Sequence, residues 1–391
     1  MVQKTLWERT LEHIRTIKFG IVFYNVFILI FSVSFVILYS QKNNDEMIIS
    51  NLQSFMELSN KNIKERIYEE FEKIGRLLST NVKLLHNVRD TTEPPVLIDD
   101  LFYSILHSSQ YVSSVYYAKK NNYFSMAMPR TSENRYKANP NKKLPSDTAL
   151  GWSLIYNAQL ASDNDNATST PVATQPNSQI EHWYYFDHNR KLLDTEVIHN
   201  NTFMATSRPW YALAEFSITP KWTDAYLFQL SRVPGITAAV GIIDEQKNSH
   251  GVFAIDLSLD KLNALLSSLK MIKSSKMYII DFSGNIIAST EKLRLQETQN
   301  QQFRLPSLND PELHEIKNII QQKPAGVKSF LAEFGGRRYV ILNGNFEYGN
   351  LNWRLININS VDDILSPNIQ KRQMTIGLSF LLLMISAGIM Y

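Results

Sequence analysis

The chain contains no cysteine in 391 residues. This absence excludes a disulfide framework, thiolate metal sites and a cysteine nucleophile. Neither sign of charge dominates, because the formal net charge is only +3. The composition therefore does not indicate a basic groove for nucleic acid. The length exceeds that of one usual domain and is sufficient to bury a sizeable core.

Sequence patterns of catalysis are absent as well. The chain has no Gly-x-Ser-x-Gly, no His-Glu-x-x-His and no phosphate-binding loop. His182, Asp187 and His188 stand close together, but their spacing matches no common metal-ligand pattern. We therefore predict no catalytic residue, no metal and no cofactor. A membrane-anchored periplasmic enzyme or a structural protein stays open as an alternative of another class.

An apolar run at residues 19–40 carries no charge over 22 residues. At about 1.5 Å per residue this is enough to cross a hydrocarbon core of about 30 Å, so we predict a first transmembrane helix. A cleaved signal peptide is the alternative, but no small-residue cleavage motif follows the run. Basic residues precede it at Lys4, Arg9, Arg15 and Lys18. The positive-inside rule makes residues 1–18 a cytoplasmic tail.

A second uncharged run covers residues 374–391 and is just long enough to span a membrane. We predict a second transmembrane helix, truncated before a cytoplasmic output domain, with a natural C-terminal anchor as the alternative. The protein would then be a two-pass membrane protein, with residues 41–373 in the periplasm or outside the cell. No kinase, cyclase or methyl-accepting pattern occurs before Tyr391, so the sequence leaves the type of output open.

A long amphipathic helix is predicted within residues 41–90. Its apolar residues recur at steps of three and four, and charged residues fill the positions between them. These apolar residues are Leu52, Phe55, Met56, Ile63, Ile67, Phe71, Ile74, Leu78 and Leu85. The helix would continue from the membrane, and we predict that the protein forms a homodimer through it.

The remaining pattern is that of an α+β protein. Residues 97–109 read as a helix, 111–118 as a strand, 161–179 as a polar surface loop and 182–193 as a strand and turn. From residue 221 onward, strand-like runs at 221–230, 235–244 and 250–259 indicate an antiparallel sheet, with a hairpin connection at 244–249. A helix at 260–269 leads to a smaller unit. That unit has two strands turning at Ser283 and Gly284, a helix at 310–323, and strands at 327–346 and 352–360.

Four stretches carry a family resemblance: "RPWYALA", "KWTDAY", "GVFAIDLSLDKL" and "MYIIDFSGNIIAS", in this order. They resemble the double Cache sensor domain, the extracytoplasmic module of bacterial chemoreceptors, histidine kinases and cyclic-dinucleotide enzymes, over about residues 45–365. The resemblance implies two tandem PAS-like antiparallel-sheet units. The membrane-distal, ligand-binding unit would cover residues 91–260, and the membrane-proximal unit would cover residues 261–370. It also implies a small-molecule ligand bound outside the cytoplasm.

The amino-acid-binding members of that family share a motif. It consists of Tyr, four residues, Arg, any residue, Trp and Tyr, followed downstream by a further Tyr and an Asp. Arg208, Trp210 and Tyr211 match it position for position, and Tyr226 and Asp256 stand where the later residues are expected. Phe203 occupies the first tyrosine position. The resemblance implies an amino-acid ligand, with an amine or another small molecule as the alternative because Phe203 lacks the hydroxyl.

The chemistry of these residue types agrees with a zwitterionic ligand. The guanidinium of Arg208 offers a planar fork for a carboxylate, and the indole N–H of Trp210 adds a donor. Asp256 and the hydroxyl of Tyr226 suit an ammonium group, and Tyr211 would close the pocket as an aromatic wall.

A structural interpretation of the same residues also stays open. Arg208 could pair with Asp256 or Asp224 in a buried network, with the aromatic residues as ordinary core.

Overall fold

The computed structural model describes most of the chain between residues 54 and 364. The described ranges are 54–130, 144–157, 178–292, 296–297, 303–310, 313–321 and 329–364, with a few isolated positions on either side. Apart from such positions, the predicted membrane segments at 19–40 and 374–391 lie outside the described residues, as does nearly all of the predicted loop at 161–179. Among the helices of the described part, none combines the length and the apolar character needed to cross a membrane.

The described part of the chain contains five α-helices of six or more residues, two short 3-10 helices at Val82–Leu85 and Ala205–Ser207, and helical residues at 361–364. The α-helices are α1 (residues 54–81), α2 (Val96–Ser108), α3 (Pro209–Ala214), α4 (Leu259–Ser268) and α5 (His314–Gln321). The helices predicted at 97–109, 260–269 and 310–323 correspond to α2, α4 and α5. The hydroxyl of Ser258 caps α4 by accepting from the backbone N–H of Lys261, which is a favoured way to begin a helix.

The predicted amphipathic helix is confirmed as α1 over residues 54–81. Met56, Ile63, Ile67, Phe71, Ile74 and Leu78 are all buried, whereas Phe55 is half exposed. Between the buried positions, Lys61 and Glu65 form a solvated ion pair one turn apart. The spacing of three and four residues therefore marks the buried face of α1 correctly.

In the described ranges, sixteen strands form three sheets. The strands are β1 (Ser114–Lys119), β2 (Phe124–Pro129), β3 (Leu150–Asn157), β4 (Gln179–Phe186), β5 (Leu192–Asn201), β6 (Lys221–Trp222), β7 (Tyr226–Leu227), β8 (Pro234–Ile243), β9 (Ser249–Ser258), β10 (Lys276–Ile280), β11 (Ile286–Ser289), β12 (Gln296–Glu297), β13 (Phe303–Arg304), β14 (Ser329–Phe334), β15 (Arg337–Tyr348) and β16 (Leu351–Ser360).

The largest sheet has nine strands in the order β5-β4-β3-β2-β1-β9-β8-β6, with β7 also paired to β8. A five-stranded sheet has the order β11-β10-β16-β15-β14, and β12 pairs with β13. The ladders from β1 to β9 in the large sheet are antiparallel. The predicted α+β class with an N-terminal helix and antiparallel sheets is confirmed.

The two faces of the large sheet carry different apolar clusters. Alternation along β1 places Val115 and Tyr117 in a cluster that also contains the buried faces of α1 and α2. Tyr116 and Ala118 point to the other face, where they belong to a smaller cluster with Phe203 and Trp210. This second face is the one that carries the predicted ligand-binding residues.

The backbone divides into two compact units. The larger comprises residues 59–328 and 341–358, and the smaller comprises residues 1–58, 329–340 and 359–391. All residues of the site discussed below belong to the larger unit. The predicted domain boundaries at 91–260 and 261–370 stay a prediction.

Some strands differ from the sequence-based expectation. The stretch 221–230 forms only the two-residue strands β6 and β7, and β2, β3 and β5 were not predicted. Nearly every residue of β2 and β3 is buried. The alternation of polar and apolar residues that identifies a half-buried strand is therefore missing from them.

Candidate functional site

Asp256 lies in the middle of the large sheet and is only 5% exposed. Its Cα is paired with Ser114 of β1 on one side and with Thr237 of β8 on the other. The carboxylate accepts hydrogen bonds from the hydroxyls of Ser114 at 2.6 Å, Thr237 at 2.6 Å and Tyr116 at 2.7 Å. A carboxylate has about four acceptor positions, so Asp256 retains capacity for a further donor.

Burial raises the pKa of the Asp256 carboxyl to about 6, although the hydroxyls of Ser114, Thr237 and Tyr116 and the charge of Arg208 favour its ionised form. Burial, followed by the charge of Asp256, also raises the pKa of Tyr116 and of Tyr226. Both phenols therefore stay neutral near pH 7, while Asp256 is mostly ionised. The site thus presents a buried anion surrounded by neutral donors.

Tyr226 extends this hydrogen-bonded group towards Arg208. Its hydroxyl lies 2.7 Å from the hydroxyl oxygen of Thr237, and its ring centre lies 5.9 Å from the guanidinium carbon of Arg208. In the part of the chain that the structure describes, Arg208 forms no ion pair with Asp256 or with Asp224. The buried Arg–Asp network considered from the sequence is therefore not formed.

The local backbone conformation sets the position of Arg208 at the start of α3. Arg208 follows the 3-10 turn Ala205–Ser207 and is the N-cap residue of α3, with extended dihedral angles of φ −84° and ψ 148°. A following proline disfavours the helical conformation, so Pro209 holds Arg208 in this extended state and starts α3 directly after it. The "RP" pair thus has a structural role as well as a chemical one.

Aromatic side chains form much of the pocket wall. Trp210 is 3% exposed and meets Tyr116 edge to face, with ring centres 4.9 Å apart. Phe203 is 8% exposed and lies 4.9 Å from the ring centre of Phe124. Phe203, Arg208, Trp210, Tyr226 and Asp256 all line one pocket.

The open space in this pocket is small, at about 30 Å³. Such a volume holds about two water molecules. Met126, Met128 and Leu230 also line it, and unbranched methionine side chains adapt readily to a new neighbour. A ligand as large as an amino acid must therefore displace some of these side chains when it enters.

Tyr211 does not line the pocket, in contrast to its predicted role as a wall. Successive residues of a helix point about 100° apart, so Trp210 and Tyr211 of α3 cannot both face Asp256. Tyr211 is 2% exposed and lies in the core, with its ring centre 5.6 Å from that of Trp210. Its hydroxyl has no hydrogen-bond partner among the described residues. The sequence motif brings these two residues together along the chain but not in the pocket.

The three hydroxyl donors of Asp256 were not predicted: Ser114, Tyr116 and Thr237. A signal for the first two exists in "YVSSVYYA", because alternation along a strand puts residues 114 and 116 on one face. What the sequence lacks is the strand register that places them opposite Asp256.

His182, Asp187 and His188 are described residues, and they do not lie together as a group of possible metal ligands. His182 pairs with the hydroxyl of Tyr184 through Nδ1 at 2.8 Å. Asp187 accepts from the backbone N–H groups of Asn189 and Lys191 in the turn after β4.

Part of the chain that contains this site matches a family of sensor domains. Residues 153–264 match the family model of the first PDC sensor domain of proteins like the methyl-accepting chemotaxis proteins. The matched segment contains all six residues predicted for the site. The predicted resemblance to a sensor domain of chemoreceptor type is thereby confirmed for this segment. No curated protein matches the chain.

Several solved structures are similar over most of the chain. The ligand-binding domain of the Pseudomonas fluorescens chemoreceptor CtaA, in complex with L-alanine, is 14% identical, covers 80% of this chain and 98% of its own, and has a TM-score of 0.45. The sensory domain of the Campylobacter jejuni chemoreceptor Tlp3, with isoleucine bound, is 11% identical with coverages of 82% and 97% and a TM-score of 0.47. The domain of Pseudomonas aeruginosa PctB, in complex with L-Arg, is 12% identical with coverages of 81% and 97% and a TM-score of 0.46.

Proposed function

We propose that this chain is the extracytoplasmic ligand-sensing region of a bacterial transmembrane receptor and that its ligand is an α-amino acid. The observation that carries the proposal is the presence of two opposite charges in one pocket that do not pair with each other. Asp256 is buried and has acceptor capacity left, and Arg208 lines the same pocket without pairing with it. The family match of the surrounding segment supports the same function.

The two charges suit the two ends of a zwitterion. The ammonium group of the ligand would donate to Asp256 and would compensate for the hydration that the carboxylate loses on burial. The Tyr226 hydroxyl would lie beside the ammonium group. The carboxylate of the ligand would meet the guanidinium of Arg208, with the indole N–H of Trp210 as a further donor. Phe203 stands at the motif position where a tyrosine would add a hydroxyl.

The remaining wall of the pocket indicates which kind of ligand side chain it would accept. Phe124, Met126 and Met128 are buried and apolar. Removing an apolar side chain of the ligand from water is favourable, and the side chain would also contact these residues. The proposed ligand is therefore an amino acid whose polar groups are concentrated at its α-carbon.

The cellular arrangement is part of the same proposal. The predicted spans at 19–40 and 374–391 would place the sensing region outside the cytoplasm, with the N-terminal helix that includes α1 connecting it to the membrane and forming a homodimer. A cytoplasmic output domain, of kinase, cyclase or chemoreceptor type, would receive the signal. A reporter fused at Asn164 should be active outside the cytoplasm and one fused at the N-terminus active inside. A cytoplasmic reporter at Asn164 would refute this topology.

A thermal-shift screen of the purified full chain tests the ligand class. The panel should contain the L-amino acids and the corresponding primary amines, and it should be applied to the wild type, Arg208→Ala and Asp256→Ala. We expect selective stabilisation of the wild type by amino acids. We also expect its loss in both variants, because each leaves one ligand charge unpaired at a cost of about 2 to 5 kcal/mol.

Other outcomes of the screen separate the alternatives. Stabilisation by amines that persists in Arg208→Ala would replace the amino acid by an amine. No response to either class, with a lower ligand-free melting temperature in both variants, would mean that the two residues serve only the fold.

A further inference from the structure

A second group of chemically active side chains lies outside the ligand pocket. His86, Asp244 and His250 each offer one ligand atom, and these atoms lie within 4.8 Å of one another. Asp244 and His250 belong to the hairpin between β8 and β9, whereas His86 follows the 3-10 turn Val82–Leu85 after α1. All three belong to the larger unit. The proposed sensing function does not use any of them.

The hairpin turn holds the carboxylate of Asp244 in place. The backbone N–H of Asn248 donates to Oδ1 at 2.7 Å, and the side-chain amide of Asn248 donates to Oδ2 at 3.0 Å. The backbone of the turn is closed by two hydrogen bonds: the N–H of Asp244 donates to the carbonyl of Asn248, and the N–H of Lys247 donates to the carbonyl of Asp244. Carboxylates that bind metal ions in proteins are usually oriented by hydrogen bonds of this kind.

His250 stands at an irregularity of the β8–β9 ladder. Gly251 pairs with Ile242 and Ser249 pairs with Ile243, so His250 is the extra residue of a β-bulge. Bulges change the direction of a side chain and often occur beside functional sites. Here the exposed His250 side chain places Nε2 at 3.0 Å from Oδ2 of Asp244.

His86 completes the group from the other segment. Its ring centre lies 4.6 Å from that of His250. Nδ1 of His86 is 3.3 Å from Oδ1 of Asn87. If Nδ1 donates to that oxygen, Nε2 keeps its lone pair and is the atom available for a metal.

We propose that His86, Asp244 and His250 bind a divalent transition-metal ion of the zinc type. Two imidazole nitrogens and one carboxylate oxygen are a common set of three protein ligands for zinc, with water or another ligand at the fourth position. Imidazole ligands favour zinc, nickel and copper over calcium and magnesium, which prefer oxygen. The ion would take the place of the proton between Nε2 of His250 and Oδ2 of Asp244.

Such an ion would connect two parts of the larger unit that are distant in sequence. It would join the turn after α1 to the hairpin whose strands carry Thr237 and Asp256. His250 and Asp256 lie on the same strand, β9. The bound metal would thus restrain the strand that forms the floor of the ligand pocket.

The test is a calorimetric titration of the purified, tag-free full chain with zinc chloride. The metal content of the protein is also measured after dialysis. We expect one zinc per chain in the wild type. His86→Gln, Asp244→Asn and His250→Gln should each weaken binding by at least about tenfold, because each removes one of three ligands. His188→Gln is the matched control, since His188 is an exposed histidine outside the group, and it should bind zinc as the wild type does.

Two results would overturn the proposal. One is the absence of stoichiometric zinc binding by the wild type, and the other is unchanged affinity in the three variants. Thermal unfolding without metal shows whether each variant is folded. Should His86→Gln fail to fold, the exposed His250→Gln and the turn variant Asp244→Asn decide the question. Calcium chloride in excess should not displace the zinc, and displacement would also contradict the proposed ligand set.

Discussion

The hydroxyl of Tyr116 lies 2.7 Å from the carboxylate of Asp256 across two neighbouring strands. The two residues are not opposite each other, because Tyr116 pairs with Ala254 and Asp256 pairs with Ser114. Tyr116 therefore reaches diagonally, which is within range of a long side chain on the same face of an antiparallel ladder. The register of β1 and β9 thus supplies two of the three hydroxyl donors of Asp256.

Amino-acid affinity should depend on pH through Asp256. The pKa of its carboxyl is about 6, and an ammonium ligand should bind only to the ionised form. Affinity should therefore fall roughly tenfold from pH 7 to pH 5, a range in which the amino acid itself changes charge little. Calorimetry at a series of pH values measures this. Asp224→Asn, which removes an exposed carboxyl, should keep the dependence, and equal affinity at pH 5 and pH 7 would refute it.

Asp256 should also make the stability of the ligand-free protein depend on pH, and the direction of that dependence follows from its raised pKa. The pKa of Asp256 is raised from about 3.9 in an unfolded chain to about 6. Its contribution to stability is thus fully present below about pH 4 and is lost as the pH rises through 6. The free energy of unfolding of the wild type, relative to Asp256→Asn, should decrease by about 2 kcal/mol between pH 4 and pH 7. Urea unfolding at both pH values measures this, and parallel pH profiles for the two proteins would contradict it.

Phe203→Tyr should strengthen amino-acid binding. Phe203 lines the pocket and stands at the motif position where tyrosine is expected. An added hydroxyl that bonds the ligand should contribute roughly 0.5 to 1.5 kcal/mol, the usual range for one hydrogen bond. Phe203→Leu removes the ring without adding a hydroxyl and should weaken binding. If Phe203→Tyr weakens binding as well, the hydroxyl has no partner in the complex and position 203 does not recognise the ligand.

Gly251→Ala should destabilise the fold more than Gly284→Ala. Both glycines have positive φ, 149° and 85° respectively, and an alanine in the left-handed region costs about 1 to 2 kcal/mol. At Gly251 the added Cβ would also lie 2.1 Å from the backbone oxygen of Ala118 in β1, whereas nothing lies within 4 Å at Gly284.

Chemical denaturation should therefore give a loss of more than about 3 kcal/mol for Gly251→Ala, since a main-chain clash adds to the dihedral cost. Because β1 carries two of the hydroxyl donors of Asp256 and β9 carries Asp256 itself, this variant should also weaken ligand binding. Equal losses for the two glycine variants would contradict the close approach of β1 to β9.

Elements with strong local signals were predicted correctly from the sequence. The buried face of α1, the hairpin of β8 and β9 and the turn at Gly284 follow from periodicity and turn residues within short windows. Strands β2 and β3 were not found, because burial on both faces removes the alternation that identifies a strand. Their existence depends on the neighbours they pair with, and single-sequence patterns do not show those neighbours.

The candidate site divides in the same way. Arg208 and Trp210 were found because they lie within one short motif, and Tyr226 and Asp256 followed from the family resemblance. Ser114, Tyr116 and Thr237 depend on the register of strands that are far apart in sequence. The cluster of His86, Asp244 and His250 depends on the position of the turn after α1, so the sequence-based prediction of no metal could not take it into account.

The central claim is that this pocket holds both charged ends of an α-amino acid. It is tested most directly by calorimetry with three matched ligands. These are the amino acid that stabilises the chain most, its amine analogue without the carboxylate, and its carboxylic acid analogue without the amino group. We predict that the amino acid binds at least about 30-fold more tightly than either analogue, equivalent to about 2 kcal/mol. Equal affinity for the amine would contradict carboxylate recognition by Arg208, and binding of none of the three would contradict the account as a whole.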